Sequence, residues 1–298
     1  MKFEKISKLF WNHGAKISDS IKNHKKLKKK FIENLFKEYG LILFRGLDFK
    51  INNIKSFSDK FTKAYANDAR RREKTTVNKF INGVDEGYSK MTLHSEASFS
   101  PSWPEILWFY CQKPSKKFGE TTFCDGIKLW SILSTTAKNF FLEYPLKFTL
   151  KIPVIKPMNF KQKKIWPLNK IGAANSFLNY KDGCLYVDQI RFAVSETNID
   201  NKLSFCNHFL YENTDPTILK WRFVGVKNFP KEIKKEVKNK SDSITYYHKW
   251  KKNDFIMLDN RRFMHGRNKI LKSDNKKIYN IQTLLSNIPR KIIYFKKT

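Results

Sequence analysis

Cysteine is scarce in this 298-residue chain: Cys111, Cys124, Cys184 and Cys206 are widely separated, with no C-x-x-C pair. Four so scattered exclude a disulfide framework and a cysteine-built zinc site. They fit a reducing compartment, so a cytoplasmic location is expected. Long apolar runs are missing too. The longest, Ile106-Leu107-Trp108-Phe109-Tyr110-Cys111, has the length of a buried strand, against the ~18–20 residues a membrane helix needs. The N-terminal Met1-Lys2-Phe3-Glu4-Lys5 has neither the apolar stretch nor the small-residue cleavage site of a secretory leader, so a soluble protein is expected. Acidic residues are the next shortage: 27 Asp+Glu stand against 59 Lys+Arg, a formal net charge of +32. Arginine supplies only ten of those cations, so the excess is lysine, spread along the whole chain. Such a surface attracts anions without naming a partner.

What is present excludes disorder. The chain is 41% hydrophobic and 15% aromatic, enough for a buried core, and its length suits one large domain. Residues 18–39 read as a helix that Ser18 or Ser20 can cap, with Ile21, Leu27, Phe31, Leu35 and Phe36 near helical spacing. Its other face carries Lys22, Lys25, Lys26, Lys28, Lys29 and Lys30, a solvated face first and a nucleic-acid or membrane contact second. Gly40 stops the helix, and Leu41-Ile42-Leu43-Phe44 reads as a buried strand. A second helix is expected over 54–66, followed by Arg70-Arg71-Arg72 in a charged loop. From Met91 onward the texture is that of strands, at 91–99, 105–111, 120–124, 146–154, 184–194, 204–209, 244–247, 254–259 and 277–284, with helices at 126–143, 216–220 and 230–238. The expectation is a single domain over 1–298, mainly β with flanking helices: a basic helical flank over 1–39 and a barrel-like or sandwich core over 40–285.

Two of the six histidines have informative surroundings. In Thr92-Leu93-His94-Ser95-Glu96, His94 and Glu96 are two apart on an expected strand, and period-two alternation sends both to one face. An imidazole and a carboxylate from one strand make two-thirds of a 2-His-1-carboxylate facial triad. The second block runs from Trp250 through Asn253-Asp254, an apolar strand and Asp259-Asn260 to His265-Gly266-Arg267. Here the chain resembles the TauD/TfdA branch of Fe(II)/2-oxoglutarate dioxygenases, whose late motif is W-x-x-G-D-(apolar)4-D-N-(x)4-H-G-R. Asn253 replaces the glycine, another residue tolerant of left-handed turns. Gly40 to Gly46 resembles the family's early G-(x)3-F-R-G, Trp103 to Cys111 the strand after the metal motif, and Phe118-Gly119-Glu120-Thr121 its G-G-x-T turn with one glycine lost. The resemblance spans about 36–285, and Glu96 in place of aspartate points to the clavaminate-synthase-like side.

The resemblance implies a double-stranded β-helix (a jelly-roll, cupin-like core) in which His94, Glu96 and His265 bind Fe(II). It further implies 2-oxoglutarate as cosubstrate and O2 as oxidant, with a small molecule hydroxylated or desaturated. Thr121 matches the threonine that helps hold the distal carboxylate of 2-oxoglutarate. The family's arginine, about a dozen residues after the second histidine, is replaced. Lys276 takes the best-matching position, with Lys277 beside it and Arg267 as an alternative anchor. Lysine supplies the charge without the bidentate fork. Substrate recognition is expected in the loops around 66–90, 155–182 and 191–203, with Asn82, Arg191 and Glu196 as polar candidates. The charge admits an anionic substrate or one carried on an acidic carrier protein. It also admits a basic nucleic-acid-binding protein using Lys22–Lys30 and Arg70–Arg72, although no recognised module is present. The replaced arginine and glycines leave open a degenerate fold without turnover. Cys206-Asn207-His208 is expected to serve packing rather than nucleophilic catalysis.

Overall fold

The apolar run at 106–111 becomes a central strand buried on both faces, and its alternation separates two cores. Trp108 and Tyr110 turn to one side, joining Phe44, Phe255 and Met257 beneath Ile32, Leu35, Phe36 and Phe57 of two covering helices and Phe61 just after the second. Leu107, Phe109 and Cys111 turn to the other, meeting Leu41, Leu43, Ile256, Leu258, Phe123 and Phe263. Each such large apolar side chain contributes about 1.5–3 kcal/mol by leaving water. The computed structural model of the chain describes residues 3–5, 14–17, 23–66, 75–84, 87–99, 103–153, 175–197, 202–211, 219–271 and 274–285.

Among the described residues the strands are β1 (Phe3–Lys5), β2 (Ala15–Ile17), β3 (Leu41–Phe44), β4 (Thr62–Tyr65), β5 (Asn82–Gly83), β6 (Met91–His94), β7 (Ile106–Lys113), β8 (Thr121–Asp125) and β9 (Leu146–Pro153). They continue with β10 (Asn175–Lys181), β11 (Cys184–Arg191), β12 (Val194–Glu196), β13 (Leu203–Phe205), β14 (Leu219–Phe223), β15 (Tyr246–His248), β16 (Phe255–Asp259), β17 (Phe263–Arg267) and β18 (Lys277–Leu285). The helices are α1 (Lys29–Tyr39), α2 (Ile54–Asp59), α3 (Gly126–Ile132), α4 (Thr135–Glu143) and α5 (Lys231–Ile244). The larger sheet has the order β1-β2-β3-β16-β7-β18-β4, with β5 also on β18; the smaller is β15-β8-β17-β6. Their facing sides enclose the second core, the interior of a double-stranded β-helix. A third sheet, β10-β11-β9-β14, joins α3, α4 and α5 outside the smaller sheet, over Cys124 and Met264. No helix among the described residues is long and apolar enough to cross a membrane.

Tertiary pairing overrides several sequence expectations. The helix expected over 54–66 ends at Asp59, where the Thr62 hydroxyl donates to the Ser58 carbonyl. The next residues become β4 because the edge of β18 offers ladder partners. The helix expected at 216–220 gives way at 219–223 to β14, paired with β9. The helix expected over 126–143 breaks at Leu133, and Ser134 caps the second piece. The expected helical flank contributes β1 and β2, which extend the larger sheet. Among the described residues of that flank only one 3-10 turn, His24–Lys26, and α1 are helical, while 18–22 and Arg70–Arg72 lie outside the described residues.

The early and late sequence blocks meet in space. Arg45 grips Asp254 with two hydrogen bonds, Nε to Oδ1 at 2.8 Å and Nη2 to Oδ2 at 2.6 Å. The Lys251 amide adds a third at 2.7 Å. Burial alone would push the Asp254 carboxyl up, but Arg45, His248 and the Lys251 amide together hold it below the usual carboxylate range. Removing one member of so buried a pair costs about 3–5 kcal/mol.

Both lost glycines leave their backbone conformation behind. Asn253 sits at φ 66°, with its side-chain oxygen accepting from the Tyr110 hydroxyl at 3.0 Å and its amide donating to the Cys111 carbonyl at 2.8 Å. Phe118 sits at φ 57° with half its surface exposed and Lys269 5.5 Å over its ring. A bulky residue in the left-handed region is strained by about 1–2 kcal/mol. Phe118→Gly is therefore expected to stabilise the protein by about 1 kcal/mol, a rise of about 2–4 °C in Tm. Thermal denaturation checks this, and a lower Tm would mean that the ring contact outweighs the strain.

Candidate metal centre

The register of the smaller sheet gathers the polar side chains. On β17, His265 stands opposite Phe123 of β8 and His94 of β6, while Arg267 stands opposite Thr121 and Met91. Antiparallel partners share a face, so His94, His265, Thr121 and Arg267 all project from one side of the sheet. Gly266 lies between the two, where the β6–β17 register shifts. A Cβ there would sit 2.6 Å from the Met91 carbonyl and 2.8 Å from Thr122 Oγ1, so the middle residue of His-Gly-Arg must be glycine.

Glu96 reaches the same point by a different route from simple alternation. β6 ends at His94, and Glu96 lies in the turn that follows, with Ala97 at φ 50°. Buried Asn260 holds that turn in place. Its Oδ1 accepts from the Glu96 amide at 2.9 Å, and its Nδ2 donates to the carbonyls of Glu96 and Pro104, both at 2.9 Å. The Ser95 hydroxyl donates to the Asn260 carbonyl at 2.7 Å and accepts from the Trp103 indole at 2.8 Å. The asparagine of the late D-N therefore positions the backbone that carries the carboxylate of the early block.

His94, Glu96 and His265 each present one ligand atom, all within 4.8 Å of one another. His265 Nε2 lies 3.7 Å from Glu96 Oε2, and the two imidazole centroids are 4.5 Å apart. His94 Nδ1 lies 2.9 Å from the Thr92 carbonyl, which leaves Nε2 for the site. Burial, then the nearby His265 and His208, push its pKa well below the ordinary value, so it is a neutral ligand at neutral pH. Two imidazoles and one carboxylate, close together on one side, could hold a divalent first-row ion with coordination positions left open. Calcium and magnesium favour all-oxygen shells.

One cavity, with about 440 Å³ of empty space including its open mouth, is lined by this triad together with Thr121, Arg267 and Lys276. Lys276 Nζ donates to the Gly119 carbonyl at 2.5 Å, in the turn leading to Thr121. Burial, then the nearby Arg267, lower its pKa to about 8. Trp250 Nε1 donates to Thr121 Oγ1 at 2.8 Å, so the hydroxyl's own proton remains to be given. The tryptophan of the late block therefore orients the threonine of the G-x-T turn.

The three substrate candidates do not line this cavity. Asn82 is buried on β5 and faces Asn280 across the ladder. Arg191 lies over the Trp103 ring at 4.9 Å, with Arg261 over the same ring at 5.2 Å. Glu196 belongs to the β12–β13 hairpin. Of the 206–208 run, Cys206 is buried and donates to the Asn260 carbonyl at 3.3 Å. His208 packs 5.0 Å from the His94 ring. Sequence reasoning missed Asn260, Trp250 and Asn280 as parts of the site. The first two stood inside the recognised motif, whereas Asn280 carried no motif signal.

A family model described as "Taurine catabolism dioxygenase TauD, TfdA family" matches residues 2–160 and 200–281. No curated protein matches the chain by sequence comparison. Among solved structures, AAD-2 in complex with Mn(II) and N-oxalylglycine aligns at a TM-score of 0.62 and 15% identity, covering 96% of this chain and 98% of that one. A taurine dioxygenase from Burkholderia xenovorans aligns at 0.60 and 14% identity, covering 92% and 86%. PvcB, an Fe, alpha-ketoglutarate dependent oxygenase from an isonitrile synthetic pathway, aligns at 0.57 and 11% identity, covering 91% and 85%.

Proposed function

Because this chain belongs to the TauD, TfdA family and is an Fe(II)/2-oxoglutarate-dependent dioxygenase, we propose that His94, Glu96 and His265 hold its iron and that the reaction hydroxylates or desaturates a small metabolite. The convergence of these three side chains in one cavity with Lys276, Thr121 and Arg267 supports this reading. The bound iron supplies the centre at which O2 oxidises substrate while 2-oxoglutarate leaves as succinate and CO2.

The chain's own residues do the rest. Two imidazoles and one carboxylate would leave a bound divalent metal a net positive charge that attracts an anionic cosubstrate. The Lys276 ammonium and the Thr121 hydroxyl take the distal carboxylate, and Arg267 adds a second cation beside them. Phe109, Val84 and Ile278 give the cavity an apolar wall that limits water and strengthens those charge contacts. Residues 40–285 work as one oxygenase domain, with 1–39 as its basic flank. The +32 charge speeds encounter with an anionic substrate or one borne on an acidic carrier protein.

Anaerobic addition of Fe(II) and 2-oxoglutarate should give a metal-to-ligand charge-transfer band, and admission of O2 should then form succinate. A chain that binds neither metal nor 2-oxoglutarate would be the degenerate fold instead.

A further inference from the structure

Resting on that reading of the metal, we infer that Asn280, with Asn82 beside it on β5 outside the cavity lining, forms a neutral subsite beside the iron that accepts a hydrogen-bond-donating group of the substrate, an amine or carboxamide rather than a carboxylate, sulfonate or phosphate. Asn280 on β18 lies in register between Phe109 of β7 and Asn82 of β5. Antiparallel partners share a face, so the three side chains project together. Phe109 and Asn280 both line the cavity of the triad. The Phe109 ring lies 5.4 Å from the His265 ring, which places Asn280, one strand over, near the level of the metal ligands.

Asn280 is 1% exposed, yet neither its Oδ1 nor its Nδ2 has a hydrogen-bond partner among the described residues. Asn82 is 4% exposed; among the described residues its Nδ2 reaches only the Phe80 carbonyl, at 3.4 Å, and its Oδ1 has no partner. Gln282, two residues on along β18, also buries an unpartnered Oε1. Buried amides are rarely left this way, because each unpaired atom keeps its full desolvation cost. A ligand group of matching chemistry would supply what the described residues do not. The waiting oxygen on the cavity, Asn280 Oδ1, repels an anionic oxygen and accepts from N–H, and the unpartnered Asn82 Oδ1 beside it adds to that repulsion. The one free NH2, on Asn280, suits a group that also offers an acceptor. An apolar substituent would leave every one of these atoms unsatisfied.

Three measurements decide this. In the metal-free chain, Asn280→Leu is expected to raise Tm by about 2–4 °C, because it replaces an unsatisfied amide by an apolar group of similar size against Phe109 and Ile278. A fall in Tm would mean that the amide is already satisfied, for example by buried water, and would overturn the inference. In the anaerobic Fe(II) protein, Asn280→Leu should need the same 2-oxoglutarate concentration as wild type to within about twofold. A rise of about tenfold or more would assign the amide to the cosubstrate instead and would likewise overturn it.

Finally, the protein loaded with Mn(II) and 2-oxoglutarate should be stabilised against heat by millimolar propionamide or propylamine but not by propionate, and Asn280→Leu by none of them. Equal stabilisation by propionate, or none by any probe in wild type, would sink the proposal. Asn280→Asp separates the two donor classes, retaining propylamine and losing propionamide. If wild type forms no charge-transfer band, the iron assignment fails, whereas the metal-free comparison reads Asn280 on its own.

Discussion

His94→Ala and His265→Ala each lose turnover by at least about 10³-fold, while the metal-free chain keeps its fold. Each substitution removes one of three donors that lie within 4.8 Å of one another. The two donors that remain cannot fix both the position and the open face of a metal. Little else depends on these rings. His94 gives up one hydrogen bond to the Thr92 carbonyl and ring packing on His208 and Tyr211, and His265 Nδ1 has no hydrogen-bond partner among the described residues. The sheet around them is held by backbone ladders and by Leu107, Phe109, Phe123 and Ile256. Equilibrium dialysis with Mn(II), circular dichroism and succinate formation together test this. A His265→Ala protein that still binds metal and forms succinate would remove the triad from consideration.

The convergence of His94, Glu96 and His265 was legible in the sequence, though partly for a mistaken reason. Period-two alternation was expected to bring His94 and Glu96 together on one strand, but β6 stops at His94 and Asn260 draws Glu96 inward through its backbone. The spacing in the motif is therefore set by a side chain more than 160 residues away, which no local periodicity encodes. The larger sheet was readable wherever strands are apolar on both faces, as at Leu41–Phe44 and Ile106–Cys111. It was unreadable at Thr62–Tyr65, where Thr-Lys-Ala-Tyr carries no strand signal and the partner strand decides. Asn253 shows the opposite case: a left-handed turn was legible from the glycine it replaces, and it sits at φ 66°. Asn280 was hidden because a buried unsatisfied amide is defined by what surrounds it and not by its neighbours in sequence.

Lys276→Met is expected to raise the apparent 2-oxoglutarate constant by about ten- to a hundredfold, the worth of one charge-assisted contact. Titrating the charge-transfer band measures it. The same contact makes cosubstrate binding depend on pH. Burial and the neighbouring Arg267 bring the Lys276 ammonium down to about pKa 8, and a carboxylate bound against it favours the charged form. Affinity should thus be flat below about pH 8 and fall above it, by up to about tenfold per pH unit, as the free protein loses this proton.

Stability of the cosubstrate-free chain moves the other way. An unfolded lysine keeps its proton to about pH 10.4, so between pH 8 and that value the unfolded state binds more protons and stability rises with pH. Below pH 8 the folded chain carries the full cost of the buried charge. Lys276→Met removes both slopes. Lys276→Arg removes the affinity slope but keeps binding, because a guanidinium stays charged throughout. An anchor at Arg267 predicts the reverse pattern: Arg267→Met would weaken 2-oxoglutarate, Lys276→Met would not, and wild-type affinity would pass pH 8 without a break.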